Sequence, residues 1–394
     1  MTHERRVVLS LATAQALFQT GVVLLMTVGG LAGLLLAPTK VLATLPIATV
    51  ALGTATATIP ASLLMGRMGR KPGFLLGTLF GMAGGATAAY AMTIGSFPLL
   101  CLGTALVGAY QGFAQFYRFA AAEAASEAFR SRAISYVLAG GVVAALAGPH
   151  LGALTRDLVP QAAYAGSFLV ILGLSLTASA VLAATPLPGG GGQAQDGPAA
   201  RPLTVIARQP RFLAAVGGAA IGYVVMVTVM TATPISMVAH DHHVGDAATV
   251  IQWHVLGMFA PSFFTGWLIK RFGVTPLMLA GVAALTAHVM IAVSGVALLH
   301  YLSALILLGV GWNFLFVGGS TLLTETYTPA ERAKVQGFND FVIVGVVAAG
   351  SFSAGALNEA FGWRGLNLAV LPFLAAAALI ILSVMRGQPR TAQA

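Results

Sequence analysis

Three polar side chains interrupt an apolar stretch at Gln111, Gln115 and Arg118, spaced i, i+4 and i+7. On a helix they share one face. Their chemistry is recognition: two amides that donate and accept, and a guanidinium that draws an anionic group. Arg118 can equally snorkel at a helix end or pair with Glu123. Gln15 and Gln19 share a face in the same way, either as a second polar wall or as interhelical hydrogen bonds. Trp312, Asn313 and Phe316 offer a stacking surface with a polar handle. Tyr223, Met226 and Met230 form a softer wall suited to variable apolar shapes. Two titratable residues stand out as proton carriers, His254 and Asp340, against structural alternatives of a satisfied histidine and a helix-start charge. His240-Asp241-His242-His243 has metal-ligand residue types, but adjacent ligands rarely make a site, so no metal is expected. No nucleophile–base–acid set, P-loop or paired buried carboxylates is present. The chain is therefore read as no enzyme, needing no cofactor, with direct ATP drive excluded.

The elements that must position these residues are membrane helices. Of 394 residues, 58% are hydrophobic and 8% charged, and mean hydropathy is +0.88; a soluble domain carries about a quarter charged residues. Twelve apolar runs are long enough to span, at roughly 7–34, 41–65, 74–94, 98–122, 133–155, 161–185, 212–237, 247–269, 275–296, 298–324, 335–357 and 365–385. An even number places both termini on one side. On that side fall all the lysines and arginines except Lys40, Arg156, Arg364 and the intramembrane Arg118. Insertion keeps the cytoplasmic side positive, so both termini are expected there, in the inner or plasma membrane. The +9 charge is thereby topology, and no nucleic-acid partner is implied. Cys101 is the single cysteine, and the first apolar run is too long for a cleavable signal.

The only polar, glycine- and proline-rich linker separates six spans from six. Residues 1–185 form one expected bundle, 186–210 a cytoplasmic linker and 211–394 a second bundle. Leu203 to Phe212 reads as a short interfacial helix. The halves repeat: Gly66-Arg67-Met68-Gly69-Arg70-Lys71 follows the second span, and Lys270-Arg271-Phe272-Gly273 follows the eighth. Glu123 and Arg130 close span 4 as Glu325 and Arg332 close span 10. Parallel six-span repeats are a transporter architecture.

With these residues in hand, the chain resembles the major facilitator superfamily over its full length. Leu64, Arg67, Gly69, Arg70 and Lys71 match its loop signature between helices 2 and 3, with Ser62 and Gly66 replacing a glycine and an aspartate. Gln111-Gly112 resembles a helix 4 element whose arginine is replaced by Gly108. Gly148-Pro149-His150-Leu151-Gly152-Ala153 resembles the end of a helix 5 signature associated with antiporters. The resemblance implies an all-α fold of twelve helices in two pseudo-repeats, working by alternating access around a cavity lined by helices 1, 4, 7 and 10. It also implies cytoplasmic gating by Arg67, Arg70, Glu123, Arg130, Arg271, Glu325 and Arg332.

The expected function is secondary active transport of a small organic molecule by a lipid-embedded monomer. The leading form is proton-coupled export of an amphipathic or anionic compound. Proton symport or facilitated uptake of a polar metabolite is the alternative within transport. A transporter-like receptor or scaffold without net flux is the alternative of another class. The expected substrate contacts are Gln15, Gln19, Gln111, Gln115, Arg118, Tyr223, Trp312 and Asn313.

Overall fold

In hydrocarbon a backbone must satisfy its own hydrogen bonds, so runs of this length and apolarity become helices. The computed structural model describes residues 3–39, 42, 45–187 and 200–386, and among these there is no strand. The linker stretch 188–199, with Lys40 and Arg390, lies outside the described residues. Fifteen helical segments are described: α1 His3–Leu36, α2 Leu45–Met68, α3 Arg70–Ile94, α4 Phe97–Ala114, α5 Tyr117–Ala124, α6 Arg130–Thr155, α7 Ala165–Ala184, α8 Leu203–Ile206, α9 Pro210–Ala239, α10 Val244–Phe259, α11 Ser262–Phe272, α12 Val274–Ser294, α13 Leu298–Leu323, α14 Arg332–Ala369 and α15 Leu371–Arg386. Ten of the described helices are long and apolar enough to cross a membrane by length and composition. The remaining two of the twelve spans are α10 with α11, broken at Ala260–Pro261, and the first part of α14.

Three departures from the expected spans have local causes. Span 4 is not one smooth helix. After α4 the Phe116 amide donates to the Phe113 carbonyl at 3.1 Å, a tighter step than an α-turn, and α5 restarts at Tyr117. Spans 11 and 12 run together, and the chain breaks at Gly362, whose φ of 64° and ψ of 179° suit only glycine. The expected interfacial helix shortens to α8, because Pro210 opens α9 instead.

The duplication extends to backbone angles. Gly69 before α3 has φ 95° and ψ 167°, and Gly273 before α12 has φ 91° and ψ 157°. Both basic turns therefore use the same left-side conformation, which a side chain strains.

Two compact units emerge. The first comprises Met1–Phe129, Tyr136–Pro198 and Ala330–Val344; the second comprises Arg130–Ser135, Ala199–Pro329 and Gly345–Ala394. In the first unit α4 packs on α2 and α3, and α7 packs on α3 and α1. Leu24, Leu25, Val28, Ala88, Leu100, Val107, Phe168 and Ile171 form its fully interdigitated core. The α2–α4 crossing explains the arginine missing at Gly108. A Cβ there would strike the Val50 backbone carbonyl, and the Thr54 hydroxyl donates to the Gly108 carbonyl at 3.0 Å. Helices this close leave no room for any side chain. In the second unit α13 packs on α9, α10 and α12, and α15 packs on α9 and α12.

Candidate functional site: two polar clusters and an aromatic stack

In the first unit the bend between α4 and α5 turns Arg118 into the protein. Its side chain is 5% exposed and pairs with Asp340 of α14, which is fully buried. Arg118 also donates to the Gln115 carbonyl at 2.6 Å and lies 4.4 Å above the Phe119 ring. Asn339 donates to the same Asp340 oxygen at 2.8 Å. The other oxygen, Oδ2, is buried with no hydrogen-bond partner. The two residues proposed for different jobs, anion attraction and proton carriage, thus form one ion pair, and Glu123 is not Arg118's partner. A buried pair of this kind holds both charges only while both are present.

The glutamines sit nearby on their helices. Gln15 and Gln19 of α1 approach each other at 3.5 Å, and Gln115 approaches the Thr58 hydroxyl at 3.5 Å. Gln111 keeps a buried Oε1 that accepts no hydrogen bond. Beside them Phe18 meets Tyr110 edge-on at 4.9 Å, and the Tyr110 and Tyr117 hydroxyls lie 3.3 Å apart.

A second ionic cluster stands at the end of α5. Arg70 grips Glu123 with two bonds, 2.6 Å and 3.2 Å, and Arg332 reaches the same carboxylate at 3.1 Å. Gln336 donates to it at 3.2 Å and accepts from Arg70. Bidentate arginine–carboxylate geometry fixes orientation as well as energy. The other residues expected to gate lie elsewhere. Arg67 and Arg130 have no ion pair among the described residues, Arg67 being exposed in the turn. Glu325 pairs with Arg211 at 3.0 Å in the second unit, and Arg271 lies over Phe272.

The second unit holds an aromatic stack on α13. Trp312 and Phe316 lie 5.0 Å apart at 22°, and Tyr223 of α9 meets both edge-on at 5.1 and 5.0 Å. Phe259 of α10 adds a further edge at 5.7 Å. The Trp312 Nε1 is buried without a hydrogen-bond partner. Asn313 faces other work than a ligand. It accepts from Thr265 at 2.7 Å and donates to the Met258 carbonyl and the Ser262 hydroxyl, each at 2.6 Å. Those partners flank the α10–α11 break, so Asn313 holds the broken span to α13. His254 is fully buried and donates from Nδ1 to the Leu305 carbonyl at 2.8 Å, leaving Nε2 without a partner. The loop histidines diverge. His240 bonds the Ser236 carbonyl, His242 the Val296 carbonyl, and His243 caps α10. Among the described residues no group of three acids, cysteines or histidines converges.

The residues missed by sequence reasoning are Asn339, Gln336 and Thr58. Each is polar and buried within a span, and that signal was present in Asn339 and Gln336 beside Asp340.

A duplicated helical membrane protein with buried polar clusters has the architecture of a transporter. The comparisons with known proteins agree. The model of the Major Facilitator Superfamily matches residues 216–394. The riboflavin transporter RfnT of Brucella anthropi is 43% identical, over all of this chain and 98% of its own length. The uncharacterized MFS-type transporter YdeG of Bacillus subtilis is 29% identical over 87% of this chain and 83% of its own. In fold, a bacterial homologue of the iron transporter ferroportin superposes with a TM-score of 0.77 at 13% identity, covering 98% of this chain and 100% of that one. The human organic anion transporter MFSD10 superposes at 0.76 and 15%, over 97% and 100%. The chain belongs to the major facilitator superfamily. It is a multi-pass membrane transporter of twelve helices in two six-helix pseudo-repeats.

Proposed function

We propose that this chain transports riboflavin or a closely related flavin across the plasma membrane, with both termini cytoplasmic. The proposal includes alternating access by the two six-span halves, 1–185 and 211–394, and coupling to protons. The observation that carries it is the whole-length relationship, at 43% identity, to a riboflavin transporter. The geometry supports the same substrate class. A flavin is neutral and amphipathic, with a flat tricyclic ring and a chain of hydroxyls. The Trp312–Phe316–Tyr223 group suits the ring, because offset and edge-on aromatic contacts each add about 1 kcal/mol beyond area. The Trp312 N–H is a donor in want of an acceptor. Unmade hydrogen bonds of this kind cost about 1–3 kcal/mol each and are recovered when a ligand supplies the missing group.

An anionic substrate is not required by Arg118, because Asp340 already answers its charge. That removes the main argument for an organic anion. Asp340 is the proposed proton carrier. A proton arriving at its unpartnered Oδ2 would cancel the carboxylate charge and release Arg118, giving the two states that coupling needs. The export reading leaned on Gly148–Ala153. A Cβ at Gly148 would meet Val23 at 2.5 Å, so this glycine serves close packing of α6 on α1, a role compatible with either direction.

The test is flux of labelled riboflavin into proteoliposomes enclosing a pH dye. Riboflavin-driven proton movement supports the proposal, and its sign distinguishes antiport from symport. Flux of riboflavin with no proton movement retains the substrate and removes the coupling. Absence of flavin flux removes the substrate, and binding without flux returns the receptor reading.

A further inference from the structure

The last turn of α11 and the first turn of α6 enclose a cleft of about 350 Å³ lined by Arg132, Trp267, Lys270 and Arg271. All four belong to the second unit. The two helices are locked together there. The Ser131 hydroxyl donates to the Gly266 carbonyl at 3.0 Å, and the Gly266 amide donates to the Ser135 hydroxyl at 2.8 Å. A Cβ at Gly266 would lie 2.6 Å from the Arg132 Cα, so only glycine permits this approach.

The cleft gathers positive charge, its described lining holding three cations and no acid. Among the described residues, neither Arg132, Lys270 nor Arg271 forms an ion pair. Arg132 stands in the first turn of α6, a position where a helix already carries partial positive charge and where this helix has no acid and no side-chain cap. Its Nε is buried without a partner. Helix dipole complementation accounts for Lys270 and Arg271 at the end of α11, but it opposes Arg132. Like charges converging on a cleft form a seat for an anion. The apolar surroundings indicate its source. Trp267, Phe263, Phe264 and Phe272 on α11 and its end are all about half exposed. Tryptophan beside cations marks the headgroup level of a bilayer, and basic pockets between membrane helices take acidic lipid headgroups.

We propose that this cleft binds the phosphate of an anionic phospholipid, with the acyl chains lying along the aromatic face of α11. Full-length protein in detergent is titrated with phosphatidylglycerol, phosphatidylcholine or inorganic phosphate, and bound lipid is counted by native mass spectrometry. Phosphatidylglycerol is expected to bind in preference to phosphatidylcholine. Each surface cation contributes about fivefold, so the exposed pair K270Q/R271Q should lower the phosphatidylglycerol affinity by about thirtyfold. Removing two exposed cations elsewhere, R5Q/R6Q, should leave it unchanged. Equal binding of the two lipids, or an equal loss in R5Q/R6Q, overturns the site. Inorganic phosphate competing at the same concentration overturns the lipid assignment in favour of a free-anion site.

Discussion

Neutralising Asp340 is the perturbation that separates a coupling pair from a structural one. Asp340 is fully buried and the Arg118 side chain is 5% exposed, so solvent screens their attraction little. Breaking a buried pair by removing one partner costs about 3–5 kcal/mol, chiefly because a lone charge is left behind. Asp340→Asn leaves Arg118 with the Gln115 carbonyl and the Phe119 face, which places the cost near the lower end. Arg118→Met leaves the carboxylate with only the Asn339 amide. A carboxyl of ordinary acidity can take a proton at pH 7 for about 4 kcal/mol, which caps that cost. The cap falls by about 3 kcal/mol between pH 7 and pH 5, so the Arg118→Met penalty should shrink on acidification. The double variant Arg118→Gln with Asp340→Asn carries no lone charge and should be more stable than either single. Equilibrium unfolding in detergent reads the stabilities, and flux in proteoliposomes reads the function. The double variant is expected to fold and to lose proton movement. Additive penalties, with coupling below about 0.5 kcal/mol, would refute the ion-pair reasoning.

Other perturbations follow from the same geometry. Trp312→Ala should weaken flavin binding, read by quenching of flavin fluorescence, by about tenfold or more, while Trp312→Phe keeps the stacking but not the N–H donor and should lose about fivefold. Asn313→Leu removes three hydrogen bonds and leaves the Ser262 hydroxyl unmet while Thr265 keeps the Pro261 carbonyl, so it should lower stability by about 2–3 kcal/mol while flavin affinity in the folded fraction stays constant. Gly108→Leu should prevent folded expression, because the Val50 carbonyl occupies the space, and a normal yield would contradict the tight α2–α4 crossing. Glu123→Gln should lower thermal stability more than Arg67→Ala, since Glu123 holds Arg70, Arg332 and Gln336 while Arg67 holds no acid among the described residues.

The spans were legible because lipid leaves few alternatives: length and apolarity dictate helix. The basic turns were legible too, as Gly69 and Gly273 repeat in angle as well as in residue type. Pairings were less so. Arg118 and Asp340 lie 222 residues apart, and nothing local in either stretch names the other. The break after Gln115 was hidden because no proline or glycine marks it. Asn313 looked like a polar handle beside Trp312, yet neighbours along a helix point to different faces, and its partners were Pro261's neighbours on another span. The gating charges divided similarly: Arg70 and Glu123 found each other through the fold, while Arg67, two residues before the turn's end, stayed in the open.

The central claim is that this chain moves a flavin, and proteoliposome flux of labelled riboflavin tests it most directly. Saturable uptake above empty liposomes, competition by unlabelled flavin, and a matching change in internal pH that Asp340→Asn abolishes are the expected results. Uptake indistinguishable from empty liposomes, with folded protein verified in the same membranes, would contradict it.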